Sequence, residues 1–153
     1  KVYTGDQEVW FFPIEQDGDW HVGQNSQYLS DAWAAILTYG VTGDESALRV
    51  ALDQINWVLG RNPYGMCMLH GHGTVNPVAA HHRYNMIVGQ HQGAVDGSVY
   101  NGIVRFNAAT DTPLWDLIPH GTPRYECNEP WIPHNSYYLF AMSELAAVSS
   151  QVD

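Results

Sequence analysis

The sequence predicts an all-α protein in which helical hairpins carry one long loop excursion. Two observations lead there. Apolar residues recur at three- and four-residue spacing in the first third and again near the C-terminus. Between those stretches, residues 61–133 hold no sustained helical period and are dense in Gly, Pro, Asn and His.

Residues 1–23 read as irregular, with a turn signal at Asp17-Gly18 and an apolar knot at Val9, Trp10, Phe11 and Phe12. Asp17 and Asp19 form a close acidic pair beside Trp20. In a Gly-containing turn such a pair is better placed to satisfy backbone N–H groups than to do chemistry. A first helix is expected to open with Asn25 or Ser26 as N-cap. Leu29, Ala32, Trp33, Ile36 and Leu37 supply its apolar face, and Gly40 and Gly43 end it. A second helix starts near Asp44 or Ser46, with Leu48, Leu52, Ile55 and Leu59 on one stripe and Val58 beside it. Gly60 supplies its stop. The short Gly-containing turn between them makes an antiparallel hairpin. The third helix is expected over about 135–148. Tyr138, Met142 and Leu145 share one of its faces, with Leu139 and Ala146 nearby.

The long middle stretch has too many aromatics and histidines, and too little charge, to read as disorder, so its length points to function. Short extended pieces are expected at 86–88 and 103–106.

One Lys and five Arg face sixteen acids across 153 residues, a formal net charge of −10. Nucleic acid and anionic membrane both need a basic footprint, so neither is expected as a partner. No apolar run is long enough to span a membrane. Six Trp and nine Tyr are the positive anomaly, and aromatic faces are what sugar rings stack on, although most such rings fill core space. Cys67 and Cys127 are too few for a disulfide framework; two free thiols and one bridge both remain open.

The segment 125–136 (YECNEPWIPHNS) sets an acid, Glu129, among Trp131, Pro130, Pro133 and His134 just before the last helix. A stiff, aromatic-rich loop favours a protonated carboxyl that can give its proton to a leaving group. A solvated loop acid is the competing reading. His70, His72, His81, His82 and His91 all fall in the loop excursion. Their spacing does not match paired helical metal ligands, so no metal is expected. The run His81-His82-Arg83 instead offers imidazole groups and a planar guanidinium suited to sugar hydroxyls, or to pairing with one of the many acids. No nucleophile elbow, P-loop or dinucleotide fingerprint occurs.

The run QINWVLGRNPYGMCMLHGHGTVNPVAAHHR resembles the closing part of glycoside hydrolase family 9, a family of mainly cellulases. There a helix ends in an LGxNP turn, enters a Gly-containing loop and reaches an H-x-R motif, here His81-His82-Arg83. A second motif follows: an aromatic, three residues, the acid, and an Asn-small pair six residues on, here Tyr125, Glu129, Asn135 and Ser136. The earlier stretch GQNSQYLSDAWAAILTYGVTGD is similar to the family helix before the first motif. The likeness covers roughly residues 20–148.

The resemblance implies that the chain is the C-terminal portion of an (α/α)6 barrel. It implies inverting hydrolysis of β-glycosidic bonds in a β-glucan or related glycan, in an extracellular or periplasmic setting and without a cofactor. Glu129 would be the general acid, with His81 and Arg83 binding sugar hydroxyls and Tyr125 and Trp131 shaping the subsite. His134 stands where the family usually has a sugar-stacking aromatic. The chain departs from the pattern at His120, where an Asp is usual, and at Ala80 and Trp131. The family's base comes from a D-A-G-D motif that does not occur in this sequence. Inversion needs two carboxyls about 6.5–9.5 Å apart. The chain is therefore expected to need an N-terminal portion of the same domain as partner, and Trp33, Tyr39, Trp57 and Tyr137 are expected to meet it. The alternative is a non-catalytic carbohydrate-binding or regulatory domain derived from such a hydrolase.

Overall fold

The structure is a computed structural model that describes residues 2–4, 7–9, 23–77, 80–81, 95–103, 106–107, 112–113 and 125–150. Its frame is three long helices, α1 (Gln24–Thr42), α2 (Glu45–Val58) and α4 (Ile132–Ser149), with one helical turn, α3 (Tyr125–Asn128), between the last two. Helix α1 packs against both α2 and α4.

The hairpin α1–α2 forms as its sequence dictates. Gly43 adopts the left-handed conformation and returns its N–H to the Tyr39 carbonyl at 2.7 Å. One residue later the Asp44 carboxylate accepts the Ser46 N–H at 2.8 Å and caps α2. Those Ser46 contacts hold the Asp44 carboxyl below the usual carboxylate range. At the far end Gly60 takes φ 109°, its N–H meets the Trp57 carbonyl, and the Arg61 N–H reaches back to Asn56 at 2.8 Å. That pair of bonds closes the helix and turns the chain into the loop excursion.

Asn62, within the LGxNP turn, stitches the exit. Its amide donates to the carbonyls of Trp57 (2.9 Å) and Met66 (2.8 Å), while Oδ1 accepts from Tyr64 and Met66 N–H groups. Segment 66–70 then runs into the core. The Met68 N–H bonds to Val58, and Tyr100 N–H bonds to Met68. Met66, Cys67, Met68, Leu69, Val99, Tyr100 and Ile103 are buried with Leu29, Ala32 and Ile36 of α1 and Ala51, Ile55 and Val58 of α2. The described parts of the loop excursion therefore supply about as much of the core as the helices do. Cys67 and Cys127 are both buried and are not joined in a disulfide.

Several expectations are corrected. Helix α1 begins at Gln24 with Gly23 as its cap; Asn25 is turned inward, where Nδ2 donates to the Tyr100 carbonyl at 2.8 Å. Gly40 lies inside α1 rather than ending it, and its position admits a methyl group 3.5 Å from Val148. Leu37 and Leu52 are partly exposed, and the buried stripe of α2 is Ala51, Ile55 and Val58. Helix α4 starts at Ile132, three residues before the expected start, because Pro133 in the first turn needs no N–H partner. Its buried line is His134, Ala141 and Val148, with Leu139 and Ala146 outside it.

The N-terminal stretch is not wholly irregular. Strands β1 (Val2–Thr4) and β2 (Gln7–Val9) pair antiparallel, Val2 opposite Val9 and Thr4 opposite Gln7. A second pair, β3 (Phe106–Asn107) with β4 (Thr112–Pro113), overlaps the expected extended piece at 103–106. The pieces at 86–88, the apolar knot around Trp10 and the Asp17–Asp19 pair lie outside the described residues. Trp33, Tyr39, Trp57 and Tyr137 all pack against this chain's own core, Trp33 with Tyr137 and Phe140, and Trp57 edge-on to Tyr28. All four are only partly buried, and among the described residues the large apolar side chains left exposed include Val41, Val50, Val95, Ile132, Leu139 and Phe140.

Candidate functional site

Three pieces of the loop excursion run side by side beneath the start of α4. Leu69 bridges Val99, and Tyr100 bridges Pro130, so segments 66–70, 98–101 and 128–130 form a short layered stack. Glu129 sits on the outermost piece, between α3 and the Trp131 cap of α4, and is half-buried. Its main chain is closed onto Asn101: the Asn101 N–H donates to the Glu129 carbonyl at 2.9 Å, and Asn101 Oδ1 accepts the Glu129 N–H at 3.1 Å.

His81 joins this stack. Its N–H donates to the Asn128 carbonyl at 2.9 Å, so the backbones of His81 and Glu129 lie one residue apart across that bond. The side chain of His81 is half-buried. Tyr125 opens α3. Arg83, His82, His91 and His120 lie outside the described residues.

Trp131 is half-buried and, with Val95, Ser98, Pro130, Ile132, Asn135, Ser136 and Leu139, lines an open groove of about 400 Å³; Glu129 and His81 are not among its lining residues, and Glu129 directly precedes Pro130 in the chain. Asn135 orders the rim of that groove: Nδ2 donates to the Trp131 carbonyl at 2.7 Å and Oδ1 accepts the Val99 N–H at 3.0 Å. The Asn of the second motif thus joins the helix start to the loop stack.

His134 behaves differently from the sugar-facing ring expected at its position. It has no exposed surface, neither ring nitrogen has a hydrogen-bond partner, and burial pushes its pKa down to about 4. Because α4 starts at Ile132, residue 134 falls on the inward line of the helix. Its ring lies 6.4 Å from that of Trp131, tilted by 32°, and so backs the Trp instead of facing the groove.

Two polar residues of the stack carry no sequence signal that singled them out. Asn101 is 2% exposed, and Tyr100 is fully buried with its hydroxyl 2.7 Å from His70 Nδ1. Asn101-Gly102 is a turn-type dipeptide, which points to local backbone geometry but not to a partner 28 residues away. His70 Nε2 is 3.9 Å from the exposed Asp96 carboxylate. Among the described residues, no group of three His, Cys, Asp or Glu side chains is arranged to hold a metal ion.

The frame is thus three long helices, with Glu129 on a loop two residues before the groove-lining Trp131. The model of glycosyl hydrolase family 9 matches residues 1–142, and the chain belongs to that family. Solved structures agree. The Bacteroides ovatus GH9 protein is 26% identical over 80% of this chain and 21% of its own, with a TM-score of 0.61. A metagenome-derived glycoside hydrolase family 9 endoglucanase is 27% identical over 84% of this chain and 23% of its own, with a TM-score of 0.63. Endoglucanase CelQ from Clostridium thermocellum, solved with cellotriose, shares the fold at 21% identity and a TM-score of 0.64, over 93% of this chain and 24% of its own. The chain therefore spans about a fifth to a quarter of these structures, and is a partial piece of the family's (α/α)6 barrel. No curated protein matches the chain.

Proposed function

We propose that this chain supplies the general acid and part of the sugar-binding cleft of an inverting β-glycoside hydrolase acting on a β-glucan or related glycan. The carrying observation is the hydrogen bond from the His81 N–H to the Asn128 carbonyl, which ties the H-x-R segment to the residue before Glu129. In this reading Glu129 protonates the glycosidic oxygen as the bond breaks. His81 and Arg83 grip hydroxyls of the sugar beside it, and Tyr125 and Trp131 shape the subsite. The open groove lined by Pro130 and Trp131 gives a ring somewhere to lie. The endoglucanase relative at 27% identity supports the substrate class, and secretion would suit a polymeric substrate. His134 has no place in sugar contact and acts as packing behind Trp131.

The base that activates water would come from a carboxylate elsewhere in the longer domain, about 6.5–9.5 Å from the acid. In the full enzyme, Glu129→Gln should abolish hydrolysis of glycosides with poor leaving groups while melting stays near wild type. Undiminished turnover of those substrates would remove Glu129 from the acid role. Glycan binding measured on the same variant separates loss of chemistry from loss of affinity.

A further inference from the structure

We propose that Asn101 is the positioning residue for Glu129, a role that rests on reading Glu129 as the acid. Both polar groups of the Glu129 main chain close onto this one residue, the carbonyl at 2.9 Å and the N–H at 3.1 Å. Few residues could replace it. An alanine removes the acceptor and leaves a half-buried N–H unmatched, whereas a longer glutamine amide would overshoot the Glu129 N–H, which the paired main-chain bond holds close to residue 101.

The clamp is itself anchored. The Asn101 carbonyl accepts the Asn25 N–H of α1 at 3.1 Å, and Asn25, with no exposed surface, donates its amide to the neighbouring Tyr100 carbonyl. Two glycines make the approach possible. A Cβ on Gly23 would fall 2.4 Å from the Asn101 Cβ, and one on Gly102 would fall 2.6 Å from Asn25 Oδ1. The loop that carries the acid is thereby referred to the first turn of the central helix through Asn101.

Such anchoring matters to this chemistry more than to stability alone. A general acid must come within about 2.6–3.2 Å of the oxygen it protonates. A misplacement of about 1 Å costs on the order of a hundredfold in rate. Asn101 does not touch substrate; it decides where the carboxyl starts from.

The test compares two aryl β-glycosides in the full enzyme, one with an activated leaving group that needs no proton and one with a poor leaving group that does. Asn101→Ala should lower kcat on the poor leaving group by roughly 10- to 100-fold and on the activated one by less than about threefold, with KM little changed. Asn101→Asp, which restores the acceptor oxygen, should recover most of that loss. Equal losses on both substrates, a change confined to KM, or no rescue by Asn101→Asp would overturn the positioning role. If Asn101→Ala does not fold, Asn101→Ser removes the same reach from a smaller cavity and is read the same way. Glu129→Gln is run beside them: a loss without leaving-group dependence there sinks the acid reading itself, whereas a selective loss there with an unselective one at residue 101 sinks only the present inference.

Discussion

The Tyr100 hydroxyl lies 2.7 Å from His70 Nδ1 and joins the middle piece of the loop stack to the inner one. Tyr100 has no exposed surface, and burial pushes its phenol well above the usual range, so it stays a neutral hydrogen-bonding group throughout. Tyr100→Phe keeps the ring and removes only this bond. The expected loss is about 1 kcal/mol in urea unfolding. It falls at the low end because His70 keeps some contact with water that can replace the hydroxyl.

Asn62 should be more costly to lose. Four hydrogen bonds converge on its amide at the exit of α2, two donated and two accepted. Asn62→Ala leaves the Tyr64 and Met66 N–H groups and the Met66 carbonyl without their Asn62 partner, while the Trp57 carbonyl keeps the Gly60 N–H, and unfolding should report a loss of roughly 2–4 kcal/mol. Asn62→Asp keeps the acceptor and should lose about half as much. An unchanged midpoint for the alanine variant would mean that water replaces all four bonds.

Gly40 inside α1 and Gly23 at its cap should respond to alanine with opposite signs. At Gly40 the added methyl meets Val148 at ordinary contact distance, so helix propensity should dominate and stabilise by about 0.5–1 kcal/mol. At Gly23 the backbone holds φ 87° and the methyl would overlap Asn101, so the loss should be on the order of 2–4 kcal/mol. Thermal melting of the two variants side by side checks both signs.

His134 predicts an acid-sensitive fold. Burial depresses its folded pKa from 6.5 to about 4, so the unfolded chain binds the proton more readily than the native one. Its contribution is therefore complete above about pH 6.5 and drains away as pH falls toward 4. His134→Leu removes that titration. Between pH 6.5 and 4, the wild type should lose up to about 3 kcal/mol more than the variant in urea unfolding. Parallel pH profiles for the two would show that His134 finds proton acceptors when charged.

Much of the helical frame was legible because it is local. Asp44, Gly43 and Gly60 mark ends whose hydrogen bonds span at most five residues, and the LGxNP turn keeps Asn62 within reach of its partners. The start of α4 was missed because Ile-Pro-His reads as loop when helical period is the guide; only the tolerance of a first turn for proline reveals it. The β1–β2 hairpin was missed because three-residue strands are too short for alternation to show. In the candidate site, Glu129, His81 and Trp131 stood out by residue type and motif spacing. Asn101 did not, because its partners are 28 and 76 positions away and nothing in its neighbours encodes them. His134 was read outward because residue type alone does not tell which side of a helix a ring will take.

The bond pair between residues 101 and 129 has a corollary for the segment between them. The two bonds fasten residues 101 and 129 to each other, so the place of that clasp depends little on how many residues separate them in the chain. Doubling that segment would cost only about 0.6 kcal/mol in closure entropy. Its length can therefore vary while Gly102 and Tyr125–Asn128 at its two ends stay fixed, and residue 129 keeps its address.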